Sequence, residues 1–157
     1  MNGPRSDAAD TQAIQNLLGR YAELIDDGDF DGLAELFTHA VMASDLDEIE
    51  GAAAVRERFE ATTRRHEDRT PRTSHVITNP IIELDGDRAT CRSRYTVLQA
   101  VGGFALQPII CGRYADEFEC VDREWRFTRR HYRVDLMGDL SHHLPSELVE
   151  FLGLANP

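Results

Sequence analysis

His75 and Asp26 are the two residues of this sequence best suited to acid–base chemistry. His75 lies in a run of strand-forming residues, TSHVITN (73–79), whose alternation places His75, Ile77 and Asn79 on one face. Asp26 ends an apolar helical pattern, where a negative charge is unfavourable by ~0.3–1 kcal/mol and needs a compensating cation. A carboxylate beside an imidazole makes it a stronger base and fixes its tautomer. The two residues therefore predict an Asp–His pair in which His75 is a general base.

Each candidate residue also has a purely structural interpretation. His75 can be satisfied by a backbone carbonyl near a sheet edge, and Asp26 can be a turn residue at a helix end. Tyr21 lies on the apolar helix face before Asp26, so it either presents its hydroxyl to a cavity or packs in the core. Tyr95 and Tyr114 carry the same ambiguity. The residues alone leave these alternatives open.

Basic residues crowd the last predicted strand. Alternation places Arg130 and Tyr132 on one face, and Arg129, His131 and Arg133 on the other. One of the two faces must turn away from solvent. At least one arginine therefore needs a partner or an interface, although a bulge would exchange the two faces.

Several kinds of chemistry are excluded or disfavoured. All seventeen basic residues are arginine, which excludes a lysine nucleophile or Schiff base. No glycine-rich phosphate loop and no G-x-S-x-G elbow are present. His142 and His143 follow Asp139, but adjacent loop histidines seldom converge on one ion, and no third ligand is suitably spaced. We predict that the protein needs no metal and no cofactor.

The elements that must position the dyad are three helices followed by a β-meander. The predicted helices are residues 10–26, capped by Asp10 or Thr11, 30–37 and 51–65. A short strand is predicted at 40–44, an acidic loop at 45–50, and four long strands at 73–84, 88–101, 104–120 and 125–137. Short turns join the long strands, so the sheet is antiparallel. Pro80, Pro108 and Gly112 are the expected bulge or bend points of this strongly bent sheet.

Length and charge bound the remaining possibilities. The 157 residues fit one domain at 10–140, with a frayed N-terminus at 1–9 and a tail with a short helix at 141–157. The formal charge of −11 argues against nucleic acid. No apolar run approaches the ~20 residues that span a bilayer. Without an apolar leader at the N-terminus, we expect a cytoplasmic protein with no membrane partner.

The order and spacing of these features resemble a known family. The helix that ends in Asp26, the motif of His75 followed by TN (78–79), and the stretches GRY (112–114) and WRFTRR (125–130) are similar to the SnoaL-like branch of the nuclear-transport-factor-2-like superfamily. The resemblance spans roughly residues 10–140. It implies an α+β cone-shaped barrel, in which three N-terminal helices pack on the concave side of a strongly bent, mostly antiparallel sheet.

Within that superfamily the chain is similar to hexachlorocyclohexane dehydrochlorinase, scytalone dehydratase and bile-acid dehydratase. The resemblance implies that His75 and Asp26 form their base dyad. It also implies that Arg130 corresponds to the dehydrochlorinase arginine that assists the leaving group, and Tyr21 to the helix tyrosine of the bile-acid enzyme. We further expect four residues to contact substrate, namely Asn79, Tyr95, Tyr114 and Tyr132.

Two functions remain in competition at this point. The first is a cofactor-independent lyase or isomerase, dehydratase- or cyclase-like, that takes a proton from a small hydrophobic, cyclic substrate. The second is a non-catalytic subunit that binds a small molecule or assists assembly, like the β subunit of a ring-hydroxylating dioxygenase. For either function we expect a homodimer or homotrimer joined through the outer sheet face, where apolar residues alternate with Arg92, Arg94 and Thr96.

Overall fold

Four helices are present in the computed structural model, which describes residues 6–153. They are α1 (Asp7–Asp26), α2 (Phe30–Glu35), α3 (Gly51–Thr62) and α4 (Ser146–Phe151). In α1, residues at three- and four-residue spacing form the buried face, among them Ile14, Leu18 and Tyr21. The helix begins at Asp7 rather than at Asp10, because the Ser6 side chain caps it. Residues 7–9 of the expected frayed segment are therefore helical and Ser6 caps them, whereas residues 1–5 lie outside the described residues.

The six strands form one mixed sheet. They are β1 (Val41–Ala43), β2 (Glu48–Glu50), β3 (Thr73–Asp85), β4 (Arg88–Val101), β5 (Phe104–Val121) and β6 (Glu124–Met137), in the order β2-β1-β6-β5-β4-β3. Only the β1–β6 pairing is parallel among the described strands. The prediction of an acidic loop at 45–50 is wrong for residues 48–50, which form β2 and pair with β1. The side chains of Glu48 and Glu50 stay exposed while the backbone of β2 is paired, so their negative charges are compatible with a strand.

The predicted bend points are confirmed. The register shifts between Thr78 and Ile81, around Pro80; it shifts again opposite Pro108 and at Gly112. A Cβ at Gly112 would collide with the carbonyl oxygen of Arg133 and with the ring of Tyr95. The absence of a side chain there lets the Tyr95 ring lie against the bent strand.

The bend gives the sheet a concave face, which the helices cover. Buried residues of α1, α2 and α3 form one core with the inward residues of the four long strands. The expected α+β class, with a strongly bent, mostly antiparallel sheet under the helices, is confirmed. The sheet stays open rather than closing into a barrel, with β2 and β3 at its edges. No helix among residues 6–153 is long and apolar enough to span a membrane.

The outer face of the sheet supports a prediction about assembly. It exposes Arg92, Arg94 and Arg113 beside the apolar side chains of Val76 and Ile81. A sheet face of this mixed composition suits a contact between copies of the chain. We expect light scattering at micromolar concentration to give a mass two or three times the 17.7 kDa of one chain. A mass of one chain would contradict this prediction.

Candidate active site

Asp26 and His75 lie side by side, where the end of α1 meets the start of edge strand β3. The Nδ1 atom of His75 is 2.6 Å from Oδ1 of Asp26. The backbone N–H of His75 donates to Oδ2 at 2.7 Å, and the Thr73 hydroxyl donates to Oδ1 at 2.8 Å. Because the carboxylate is an acceptor, Nδ1 donates its proton to it, and the neutral form of the ring then has its lone pair on Nε2. This is the tautomer that a general base requires.

The surroundings keep Asp26 ionised. Burial opposes the charged form, but the hydrogen bonds and charge of His75, together with the Thr73 hydroxyl, outweigh it and lower the pKa of Asp26. The Asp26 side chain is 21% exposed, so it is only partly buried. The His75 side chain is only 5% exposed. The acid therefore lies at the rim and holds an imidazole that is shielded from bulk water.

His75 forms part of the wall of a cavity of about 260 Å³ between the helices and the concave sheet face. That volume lies just below the usual range of ~300–1,000 Å³ for ligand pockets, so the occupant must be small. Most of the wall is apolar; Ile25, Phe59 and Val97 are examples. A low-polarity wall beside a charged dyad strengthens electrostatic interactions with a bound molecule. The site is suited to a neutral, hydrophobic compound.

Four tyrosines supply much of the remaining wall: Tyr21, Tyr95, Tyr114 and Tyr132. The rings of Tyr95 and Tyr114 stack with centroids 4.3 Å apart, and Tyr21 meets Tyr114 edge-on at 5.9 Å. Burial raises the pKa of Tyr21, although Arg130 opposes this effect. Burial also raises the pKa of Tyr114 and of Tyr95. These hydroxyls therefore stay protonated and can donate hydrogen bonds.

Comparison with known proteins gives the family. The profile of the SnoaL-like domain matches residues 6–131. The chain belongs to the SnoaL-like family. A solved protein of unknown function from Mycobacterium tuberculosis is 30% identical, with a TM-score of 0.71, over 83% of this chain and 79% of that one. A search of curated proteins gave no significant match.

Two further solved structures share the fold with this SnoaL-like chain. A candidate scytalone dehydratase from Novosphingobium aromaticivorans is 22% identical over 85% of this chain and 89% of its own, with a TM-score of 0.70. The β subunit of a candidate aromatic-ring-hydroxylating dioxygenase from the same organism is 17% identical over 83% and 92%, with a TM-score of 0.68. At these identities the likeness concerns the fold alone.

Arg130 is not where the resemblance to the dehydrochlorinase implied. Its side chain is fully buried and does not line the cavity of this SnoaL-like protein. Asp116 on the neighbouring strand holds it through two hydrogen bonds of 2.8 Å. The guanidinium carbon lies 4.1 Å from the ring centroid of Tyr21 and 3.9 Å from that of Tyr114, behind the cavity wall. The expected direct contact of Arg130 with a leaving group is therefore wrong. The guanidinium lies behind the two tyrosine rings.

Asn79 is also misplaced by the sequence pattern. The bulge between Thr78 and Ile81 interrupts the alternation, and Asn79 adopts a φ of 53°. Its side chain is exposed and faces a groove that also contains Arg92 and Arg94 on the outer side of the sheet. The expected contact between Asn79 and a substrate in the cavity is therefore wrong.

Two ionisable residues of the cavity wall were missed from the sequence. Arg58 of α3 lines the cavity and forms an ion pair with Asp47 at 2.5 Å. His143 lines it from the segment after β6 and is 8% exposed. The available signal for His143 was its place next to Leu144 and three residues after Leu140, since a histidine near apolar residues can face a core or a pocket. The adjacent His142 and His143 had suggested only a metal site.

Metal independence stays a prediction. Among residues 6–153, no three His, Cys, Asp or Glu side chains are grouped to hold a metal ion. We expect treatment with EDTA to leave the melting temperature and any activity unchanged. A melting temperature that falls with EDTA and recovers when a divalent metal is restored would contradict this prediction.

His143 should make the folded protein sensitive to acid. Burial, together with the nearby charges of His75 and His66, lowers the pKa of His143 from 6.5 to about 4. Between these values the unfolded chain binds more protons, so stability is lost as the pH falls from 6.5 towards 4. We expect about 2–3 kcal/mol of the free energy of unfolding to disappear between pH 7 and pH 4.5 through this residue. Urea unfolding at the two pH values should show a smaller loss in His143→Phe than in the wild type.

His142→Phe is the matched control for this measurement. The neighbouring ring packs on Phe104 instead of lining the cavity. This variant should retain the pH dependence of the wild type. Equal losses of stability in the His142 and His143 variants would show that His143 is not the group that titrates.

Proposed function

We propose that the protein is a cofactor-independent enzyme that removes a proton from a carbon atom of a small, hydrophobic, cyclic substrate. The reaction class is a lyase or an isomerase, of the dehydratase or cyclase type. The observation that carries the proposal is the 2.6 Å contact of His75 Nδ1 with Asp26, in an imidazole that also lines an apolar cavity. A small molecule can be bound without such a pair.

His75 is the general base in this mechanism. Its Nε2 lone pair takes the proton, and Asp26 stabilises the imidazolium that forms. The carboxylate does not touch substrate, so Asp26 is a positioning residue that holds the tautomer and the charge. General-base catalysis of this kind supplies ~10²–10⁴-fold, and the rest must come from stabilising the negative charge that develops on the substrate.

The tyrosines are the groups available to stabilise that charge. Tyr21 and Tyr114 line the cavity with protonated hydroxyls, and the buried cation of Arg130 lies behind both rings. A hydroxyl donor in a water-poor site stabilises a developing oxyanion more strongly than water would. We therefore assign Tyr21 to polarise a substrate oxygen. Arg130 acts through the Tyr21 ring and does not contact the substrate.

A substrate screen tests the proposal. Hydroxylated and halogenated cyclic compounds would be incubated with the wild type, with His75→Ala and with His39→Ala, which alters an exposed histidine outside the cavity. We expect turnover by the wild type and by His39→Ala, and a loss of ~10²-fold or more in kcat/KM for His75→Ala. Compounds that bind in the cavity without being turned over by the wild type would favour the non-catalytic function instead.

A further inference from the structure

The segment that follows β6 closes one side of the cavity. Leu140, His143 and Leu144 all line it. These residues lie beyond residue 131, where the match to the SnoaL-like profile ends. The family profile therefore does not describe this part of the wall.

Hydrogen bonds fix this segment against the rest of the fold. The backbone N–H groups of His143 and Leu144 donate to the carbonyl of Leu140, at 2.9 and 3.1 Å. The N–H of Arg64 donates to the carbonyl of His143 at 2.8 Å. The buried Gln99 side chain donates to the carbonyl of His142 at 3.1 Å. The segment is thus held from both sides, and the position of the His143 ring follows from it.

The ring of His143 is polar, buried and incompletely bonded. It is 8% exposed, and its Nδ1 atom has no hydrogen-bond partner among residues 6–153. Burial and the charges of His75 and His66 hold the pKa of His143 at about 4, so the ring is neutral at neutral pH. A buried polar atom without a partner is unfavourable, and an apolar side chain would fill the same space without that cost. The ring therefore has hydrogen-bonding capacity that a ligand in the adjoining cavity can use.

The neutral ring limits the chemistry of that ligand. A neutral imidazole offers one donor nitrogen and one acceptor nitrogen, and a hydroxyl group can pair with either of them, because it both donates and accepts. A carboxylate can only accept hydrogen bonds, so it would leave the acceptor nitrogen of the ring unused, and it would also approach the negative charge of Asp26. We propose that His143 is a substrate-binding residue that hydrogen-bonds a hydroxyl group on a small, neutral, cyclic substrate beside His75. This inference rests on the proposal above that the cavity is the substrate site.

Binding of p-cresol and toluene tests the inference, because the two probes differ chiefly by one hydroxyl group. NMR titrations would compare the wild type with His143→Phe, which keeps a ring but removes both nitrogens, and with His142→Phe as the matched control. We expect His143→Phe to weaken p-cresol binding about tenfold and to leave toluene binding unchanged. His142→Phe should bind both probes as the wild type does.

Three results would overturn the inference. They are an unchanged affinity of His143→Phe for p-cresol, equal losses for the two probes, and no binding of p-cresol to the wild type at millimolar concentration. If His143→Phe does not fold, ¹⁵N spectra of the wild-type histidine rings decide the question. In those spectra p-cresol, but not toluene, must shift the ring nitrogens of His143.

The test is independent of catalysis. Neither probe has to react, and the same titration in His75→Ala measures binding without the base. A tenfold loss in His143→Phe together with an inactive wild type would leave the binding role standing while the enzyme proposal fails. If the wild type turns a substrate over but binding does not depend on His143, the enzyme proposal stands and the binding role of His143 fails.

Discussion

Replacing Asp26 with asparagine is expected to reduce kcat by ~10²–10⁴-fold while the fold changes little. One amide oxygen can still accept the backbone N–H of His75, which the structure places 2.7 Å from Oδ2. The amide NH₂ group then faces Nδ1 and donates to it. The imidazole is forced into the tautomer that carries its proton on Nε2, so the lone pair needed for proton abstraction is lost.

A double-mutant cycle shows whether the two residues act as one unit. His75→Ala and the combination of His75→Ala with Asp26→Asn should be equally inactive, because Asp26 acts only through the imidazole. Circular dichroism and melting temperature would confirm that both variants fold. Effects on rate that simply multiply would show that Asp26 and His75 work separately, and normal function in both variants would make the pair structural.

Replacing Asp116 with asparagine is expected to lower the free energy of unfolding by about 3–5 kcal/mol. Asp116 and Arg130 are both fully buried and bonded through two contacts of 2.8 Å. Burial opposes the charged form of Arg130, but Asp116 outweighs it and raises the pKa of Arg130, so the guanidinium stays charged. Removing the carboxylate charge leaves an uncompensated cation in the core. The melting temperature should fall by roughly 10 °C.

Two companions make the Asp116 measurement interpretable. Glu117→Gln removes the neighbouring carboxylate on the exposed side of the strand and should change stability by less than about 0.5 kcal/mol. Asp116→Leu combined with Arg130→Met replaces the pair by apolar side chains and should recover most of the loss. If Asp116→Asn is as stable as Glu117→Gln in urea unfolding, the buried pair is not the source of stability.

The elements and the dyad were accessible from sequence because each has a strong local signal. The strand β4 (Arg88–Val101) begins and ends where alternation and turn dipeptides predicted. The charge of Asp26 at a helix end demanded a compensating partner, and the structure supplies His75. Arg130 and Tyr132 also share the inward side of β6, as their spacing predicted. Periodicity and charge were enough for the elements, whereas the dyad was preferred to its structural alternatives only because of the family resemblance.

The errors come from register, which local patterns do not contain. Val121 lies opposite Glu124, and counting back from this pair places Asp116 opposite Arg129. A bulge between Glu117 and Phe118 moves Asp116 to Arg130 instead and creates the buried pair. The sequence predicted the bulge at Pro80, but it did not predict that this bulge turns the Asn79 side chain to the outer face of the sheet. A single extra residue reverses the face of a side chain, so site residues near bulges need coordinates.

The carboxylate of Asp26 receives three hydrogen bonds, and only one of them comes from an imidazole ring. The other two come from the Thr73 hydroxyl and the backbone N–H of His75, and they tie the end of α1 to the edge strand. A descendant that lost its chemistry would still need this acid to hold its helix in place. An aspartate at this position is therefore a poor marker of activity among related chains. The histidine ring, which supplies only one of the three hydrogen bonds to the carboxylate, is the better diagnostic.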